Sequence, residues 1–242
     1  MHRVTWIVPL ALGATFIAAC GSDSSGPQAG FECLGQALPT TAPALIDVTG
    51  QVLQNVISPN ALGGAPVFAF RTGDTTHIAA DTSSTPGFFD LSITTGGTPV
   101  DGYLRVTDSA HITTYAYPAR PLADNATETV LMVTNTEVTL IGPVLGVTQT
   151  AGNGLMAIVV ENCAGTPIAG ATVSVTPGGT VRYNGPSGPD QSASSTAADG
   201  VAYVFNVPAG NVVVHASASG HTLRQHTVNA RADVLTLTSI QP

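Results

Sequence analysis

The sequence predicts an all-β protein with two tandem β-sandwiches, and three observations lead to this prediction. Charged residues make up only 9% of the 242 residues, and Thr, Ser, Gly, Ala and Val replace them, a mixture that suits strands and turns. Short stretches of alternating apolar and polar residues recur between turn signals. Similar orders of strands and turns occupy residues 45–147 and 148–242, which we therefore predict to be two domains.

Residues 1–19 have the features of an export signal. A short basic start precedes the apolar run Val4–Ala19, which ends in small residues. The stretch Ile17–Cys20 resembles the bacterial lipobox, in which the cysteine is acylated and the bond before it is cut. We therefore expect Cys20 to be the lipidated first residue of the mature chain. One alternative is a transmembrane anchor, but the apolar run is short for crossing a bilayer. The other alternative is an ordinary secreted protein.

The residues after Cys20 predict a tether and a location. Residues 20–44 begin with a Gly/Ser-rich stretch of the kind that behaves as flexible coil. The lipid anchor places the protein in the bacterial cell envelope. Gly21, and not Asp, follows Cys20, which favours the outer membrane over the inner membrane.

Charge limits the partners of the mature chain. There is no lysine, and after loss of Arg3 six arginines face fifteen acids, a net charge of −9. No basic patch can form, so nucleic acid and anionic lipid headgroups are poor partners. The partners that we expect are the membrane, through the lipid anchor, and another envelope protein or a glycan. No cofactor is predicted.

Two further cysteines remain, Cys33 after the tether and Cys163 after a strand of the second half. The exported compartment is oxidising, so the two thiols are predicted to form a disulfide. Such a bridge would attach the N-terminal segment to the second domain. Two unpaired buried thiols are the alternative.

The strand pattern is clearest in the second half. Ala171, Val173 and Val175 alternate with polar residues, which predicts a strand with one buried face. Asp199-Gly200 predicts a turn, and residues 177–195 predict a mobile Gly/Pro/Ser-rich loop. In the first half, Val138–Ile141 is predicted to be the closing strand. No helix is expected outside the signal.

The second half resembles the carboxypeptidase regulatory-like domain, a transthyretin-like seven-stranded sandwich, over about residues 155–238. The motifs that carry the resemblance are Thr166–Val173, Thr196–Gly200, Val207–Gly210 and Gly220-His221. The sequence departs from the family pattern at Ala197, where Asp is usual, at Tyr203, where the aromatic residue comes later, and at His221, where Tyr is common.

The first half resembles the same family more weakly, through Gly64–Val67, Gly87-Phe88 and Gly102–His111. The paired Cys-Leu-Gly and Cys-Ala-Gly segments look like those of predicted myxobacterial lipoproteins with this layout. The resemblance implies an accessory domain without active-site residues, and a fold does not by itself give a function.

Five residues are candidates for ligand contact. Tyr115 and Tyr117 alternate on one strand and could stack on a sugar or peptide; packing against the sandwich, or an edge strand stopped by Pro118, is the alternative. A metal site would need the rings of three histidines to converge, but no carboxylate follows at ligand spacing, so exposed strand and turn histidines are favoured and no metal site is predicted. These histidines flank one hairpin: His215, His221 and His226.

The sequence contains no G-x-S-x-G, H-E-x-x-H or P-loop motif, so we predict no enzyme and no catalytic residues. The favoured function is a structural or protein-interaction module on the cell envelope. A carbohydrate-binding module, with the fold of starch-binding domains, is the alternative. Its difficulty is that the one tryptophan, Trp6, leaves with the signal.

Overall fold

The computed structural model describes residues 28–242, so the predicted signal, Cys20 and the start of the tether lie outside the described residues. No helix within 28–242 is long and apolar enough to cross a bilayer. The first half contains eight strands: β1 (Leu45–Gln54), β2 (Asn60–Ala61), β3 (Pro66–Arg71), β4 (Ala79–Thr82), β5 (Phe88–Thr94), β6 (Gly102–Val106), β7 (Thr114–Tyr117) and β8 (Ala126–Met132).

The second half follows the helix α1 (Asn135–Val144) and contains nine strands: β9 (Gly154–Val160), β10 (Thr172–Thr176), β11 (Thr180–Gly185), β12 (Gly188–Asp190), β13 (Val201–Val207), β14 (Gly210–Ala218), β15 (His221–Thr222), β16 (His226–Ala230) and β17 (Leu235–Ile240). The prediction of an all-β protein built from sandwiches is confirmed.

A nine-stranded sheet, here called the central sheet, runs through both halves in the order β12-β11-β13-β9-β17-β7-β6-β3-β4. The C-terminal strand β17 joins the halves, because it pairs in parallel with β9 on one side and with β7 on the other. Strands from both predicted domains thus belong to one sheet, which the sequence repeat did not predict. The domain boundary at residues 147 and 148 stays a prediction.

Two smaller sheets cover opposite faces of the central sheet. Sheet I (β2, β1, β5 and β8) packs on the front face of the central sheet, against the strands of the first half. The two sheets enclose one core, which includes Val67, Leu104 and Ala116. Sheet II (β10, β14, β15 and β16) packs on the back face of the central sheet, against the strands of the second half. The two sheets enclose the other core, here called the second core, which includes Met156 and Ile158. Among the described residues, no sheet covers the back face of the first half.

Strand β10 and the residue before it have the predicted pattern, with Ala171, Val173 and Val175 buried and the intervening residues exposed. The Asp199-Gly200 turn is also confirmed, since Gly200 has a φ of 68° and its N–H donates to the Ala197 carbonyl. Burial of apolar side chains on one face is the common cause of these correct predictions.

The predicted strand Val138–Ile141 is wrong, because these residues belong to helix α1. A capping box starts the helix: the Thr134 hydroxyl accepts from the Glu137 amide, and the Glu137 carboxylate accepts from the Thr134 amide. Side chains of α1 and of β9, β13 and β17 line a small apolar cavity, so the helix covers the front face of the second half. Val138 and Ile141 are partly buried against this sheet, and this contact together with the capping box outweighs the preference of β-branched residues for strands.

The expectation of an irregular loop over residues 177–195 is also wrong in part. Strands β11 and β12 form a hairpin there, and β11 pairs with β13. Tyr183 anchors β11, since its side chain is buried and its hydroxyl accepts from the Val173 amide at 2.9 Å. The Gly/Pro-rich composition predicted a loop, but the Tyr183 side chain packs in the second core and fixes a strand there.

The Cys33–Cys163 disulfide is confirmed, with Cα atoms 5.7 Å apart across a sequence separation of 130 residues. Phe31 lies in the second core, and the Cys163 amide donates to the Gly30 carbonyl. The N-terminal segment is thus attached to the second half by a covalent bond, a buried side chain and a backbone hydrogen bond.

Candidate functional site

Tyr115 and Tyr117 lie on the back face of β7, on the part of the central sheet that no second sheet covers. The alternative of an edge strand is wrong, because β7 is hydrogen-bonded to β6 and to β17. Tyr117 is 7% exposed and belongs to the second core, whereas Tyr115 is half-buried. One of the two rings is thus mainly structural, and the other borders solvent.

Neighbouring strands add aromatic rings to this face. Tyr103 on β6 lies opposite Phe70 on β3, and the two rings stack nearly parallel with centroids 5.3 Å apart. The ring of Tyr103 also lies 5.5 Å from that of Tyr115 and 5.1 Å from that of Tyr117. Because residues at register positions of adjacent strands share a face, four rings form one continuous aromatic surface.

Arg231, in the turn before β17, lies over this surface. Its guanidinium carbon lies 3.8 Å from the centroid of the Tyr115 ring and 5.1 Å from that of Tyr103. Its Nη1 donates to the Tyr117 hydroxyl at 3.0 Å and to the Asn229 carbonyl at 2.8 Å. Burial raises the pKa of Tyr117, so the hydroxyl stays protonated at neutral pH.

Arg105 stands on the same face, beside Tyr115 in register. Its guanidinium carbon lies 5.0 Å and 4.9 Å from the ring centroids of Phe68 and Phe70. Its Nε is buried and has no hydrogen-bond partner among the described residues. The aromatic rings hold the cation in place, and the Nη groups of Arg105, which make no hydrogen bond to the described residues, can donate to a ligand, whereas the buried Nε cannot be reached.

These residues line an open groove of about 760 Å³ between the back face of the first half and the edge of sheet II, here called the Tyr–Arg groove. Its other polar walls are Asp74 and Asp101 on the first-half loops and Asn211 and Asn229 on β14 and β16. A groove of this size with aromatic walls and a few converging polar groups has the properties of a small-ligand site.

The structure does not bring the three candidate histidines together. His215 lies on the outer face of sheet II, whereas His226 points inward and contacts the Thr238 hydroxyl at 3.0 Å. His221 packs on the Phe31 ring, with centroids 4.7 Å apart. Burial lowers the pKa of His226, which keeps its ring neutral. Between residues 28 and 242, no group of three or more His, Cys, Asp or Glu side chains could hold a metal ion.

The sequence argument named two residues of the groove and missed the others. Phe70, Tyr103 and Arg105 lie on two strands with the period-two pattern, and their outward positions could have shown an unusual aromatic face. Arg231 had no such signal, because it comes from a turn more than 100 residues away from Tyr115 in the chain.

No protein-family model matches the chain, and no curated protein matches it either. Solved structures that are similar to this chain include the TIE protein of Bacillus anthracis. It has 10% sequence identity and a TM-score of 0.27, over 81% of this chain and 35% of the TIE protein. The shaft pilin SpaA from Lactobacillus rhamnosus GG has 9% identity and a TM-score of 0.26, over 82% of this chain and 98% of the pilin. GBS52, a minor pilin of Streptococcus agalactiae, has 10% identity and a TM-score of 0.27, over 81% and 95%. Similarities this low carry no conclusion about this chain.

Proposed function

We propose that the chain is a non-catalytic lipoprotein of the bacterial cell envelope whose β body acts as a structural or protein-interaction module. In this proposal Cys20 carries the lipid, the outer membrane is the favoured location, and the second half is a carboxypeptidase regulatory-like domain. The body is then held close to a membrane by acyl chains and not by charge, which suits its acidity.

The attachment of the N-terminal segment is the observation that supports this role best. The Cys33–Cys163 bond and the buried Phe31 side chain connect the residues after the tether to the second core. Strand β17 then continues the same sheet into the first half. A force or a position set at the N-terminus is therefore transmitted to the whole body.

Metabolic labelling with a fatty-acid probe tests the anchor. The wild-type chain should be labelled in the membrane fraction, and the Cys20→Ser variant should not be labelled. Cys33→Ser is the matched control, since it removes a cysteine of the body and should keep the label. A label that persists in Cys20→Ser would contradict the proposal.

Cross-linking in the intact envelope tests the interaction role. The anchored chain should form a discrete cross-linked complex with one envelope protein, and that complex should be lost in the unanchored Cys20→Ser variant. A wild-type chain that stays monomeric under cross-linking conditions would contradict a protein-interaction module.

The Tyr–Arg groove favours carbohydrate binding as a second candidate function. Tyr103 and Tyr115 are half-buried, so part of each ring can contact the C–H groups of a sugar. Polar groups that can pair with hydroxyls surround them. A glycan array probed with the full chain tests this candidate, and the absence of any specific glycan would contradict it.

A further inference from the structure

We propose that the Tyr–Arg groove binds an acidic saccharide, one whose sugar rings carry carboxylates, and that Arg231 and Arg105 recognise those carboxylates. The inference rests on the second candidate function, carbohydrate binding, and names its ligand class. It does not depend on the structural role of the body.

Neither of the two arginines forms an ion pair with a carboxylate of the described residues. Among residues 28–242 the ion pair within 4 Å is between His111 and Asp108, and it includes neither arginine. Within residues 28–242, Arg231 makes its hydrogen bonds through Nη1, and the side chain of Arg105 makes none. Two of the six arginines of an acidic mature chain thus lie in one groove with free N–H groups. A guanidinium that presents two such groups matches the geometry of a carboxylate.

The cations are also fixed in place before any ligand arrives. The guanidinium of Arg231 is stacked on Tyr115 and tied to Tyr117 and to the Asn229 carbonyl. That of Arg105 lies over Phe68 and Phe70. Because these side chains are already ordered, binding an anion costs less conformational entropy than it would at a flexible surface arginine.

The remaining groups of the groove favour a hydroxyl-rich ligand over a simple anion. Asp74 and Asp101 are exposed on its walls, and their charge would oppose a ligand that offered negative charge alone. Sugar hydroxyls can donate to these carboxylates and to the side chain of Asn211 while the arginines hold the acid groups. The volume of about 760 Å³ can accept an oligosaccharide of about three rings.

A peptide fits the groove less well, because peptides commonly bind by adding a strand to a free sheet edge. Strands β6 and β7 are internal to the central sheet and have no free edge. The edge of β16 does face the groove, but its Asn229 carbonyl is already occupied by Arg231. A ligand in the groove must therefore be recognised by side chains and not by pairing with a strand.

Calorimetric titration of the full chain in detergent tests the proposal. The probes are trigalacturonate, trimannuronate and a hyaluronan tetrasaccharide. At least one should bind, and its affinity should fall as salt is added. Two probes serve as controls: the methyl ester of the bound oligosaccharide, which keeps the rings and loses the charge, and triglutamate, which keeps carboxylates on a peptide. Both should bind at least about tenfold more weakly.

Variants test the residues. Arg231→Gln and Arg105→Gln should each weaken binding by about tenfold or more, while Tm stays close to that of the wild type. Arg120→Gln is the matched control, since it removes an exposed arginine outside the groove and should change affinity less than about twofold. Should Arg231→Gln fail to fold, Arg105→Gln tests the same prediction.

Four results would overturn the proposal, and they separate it from its premise. Equal binding of the methyl ester would keep carbohydrate binding and reject the acidic ligand. Equal or tighter binding of triglutamate would replace the saccharide with a peptide. Equal loss in Arg120→Gln would move the site away from the groove. Absence of binding by every oligosaccharide at millimolar concentration would reject carbohydrate binding as well.

Discussion

Replacing Glu128 with glutamine should stabilise the protein in alkaline solution and leave its stability in acid unchanged. Glu128 lies on the inner face of β8, and it lines a small cavity with apolar side chains that include Val48, Ile93 and Leu122. No hydrogen bond from the described chain compensates the burial of its carboxylate. The charged form is therefore the unfavourable one in the folded state.

The size of the effect follows from the pKa. Burial, and then repulsion from the Glu161 carboxylate, raises the pKa of Glu128 from 4.5 to about 7. Unfolding restores the ordinary value, so between these two pH values the folded protein holds a proton that the unfolded chain has lost. This stabilisation is complete below the unfolded pKa and is lost as the pH rises through about 7. At about 1.4 kcal/mol for each pH unit between the two pKa values, the loss is about 3 kcal/mol.

Urea denaturation at about pH 4 and about pH 8.5 measures this difference. Glu128→Gln resembles the protonated side chain, so it should match the wild type in acid and exceed it by about 3 kcal/mol in alkali. The control is Asp124→Asn, which removes the same charge from an exposed residue near the start of β8 and should change stability by less than about 0.5 kcal/mol. Equal alkaline stability of Glu128→Gln and the wild type would refute the burial argument.

Three further predictions concern the cysteines, the helix cap and two glycines. Non-reducing alkylation and peptide mass mapping should leave Cys33 and Cys163 unlabelled, and Cys33→Ser should lower the unfolding free energy by at most about 4–5 kcal/mol; labelled thiols would show that the bridge is absent. Thr134→Ala should cost about 1 kcal/mol in urea denaturation, because α1 loses its capping oxygen; an unchanged midpoint would contradict the capping box. Gly200→Ala should lower Tm more than Gly220→Ala, since both residues have positive φ but only at position 200 would a Cβ lie 2.7 Å from a backbone oxygen of β9. Equal losses of Tm would show that this contact relaxes freely.

Strands with one buried face were predictable, because alternation along the chain reports burial directly. Residues 171–175 are an example. Helix α1 was missed because β-branched residues dominate Val138–Ile141. The Thr134 and Glu137 capping box was present in the sequence and was the better signal.

The sharing of one sheet by the two halves could not be predicted from the repeat. The alternation of β17 predicts a strand with one buried face, whereas in the structure its polar residues Thr236 and Thr238 are buried as well. The pattern also does not show which strands lie beside it. Its parallel pairing with β7 joins residues that are about 120 positions apart. The Tyr–Arg groove exists because of this pairing, so the sequence could show the aromatic positions on its strands but not that Arg231 lies against them.

Hydrogen exchange at the junction of β7 and β17 tests the central claim of one continuous sheet most directly. If the halves share the sheet, backbone amides of both Thr114–Tyr117 and Leu235–Thr238 should exchange only through global unfolding, with the same free energy as the rest of the core. Two sandwiches without this pairing would leave β7 as an edge strand. Fast exchange of the β7 amides, at a free energy well below that of the core, would contradict the shared sheet.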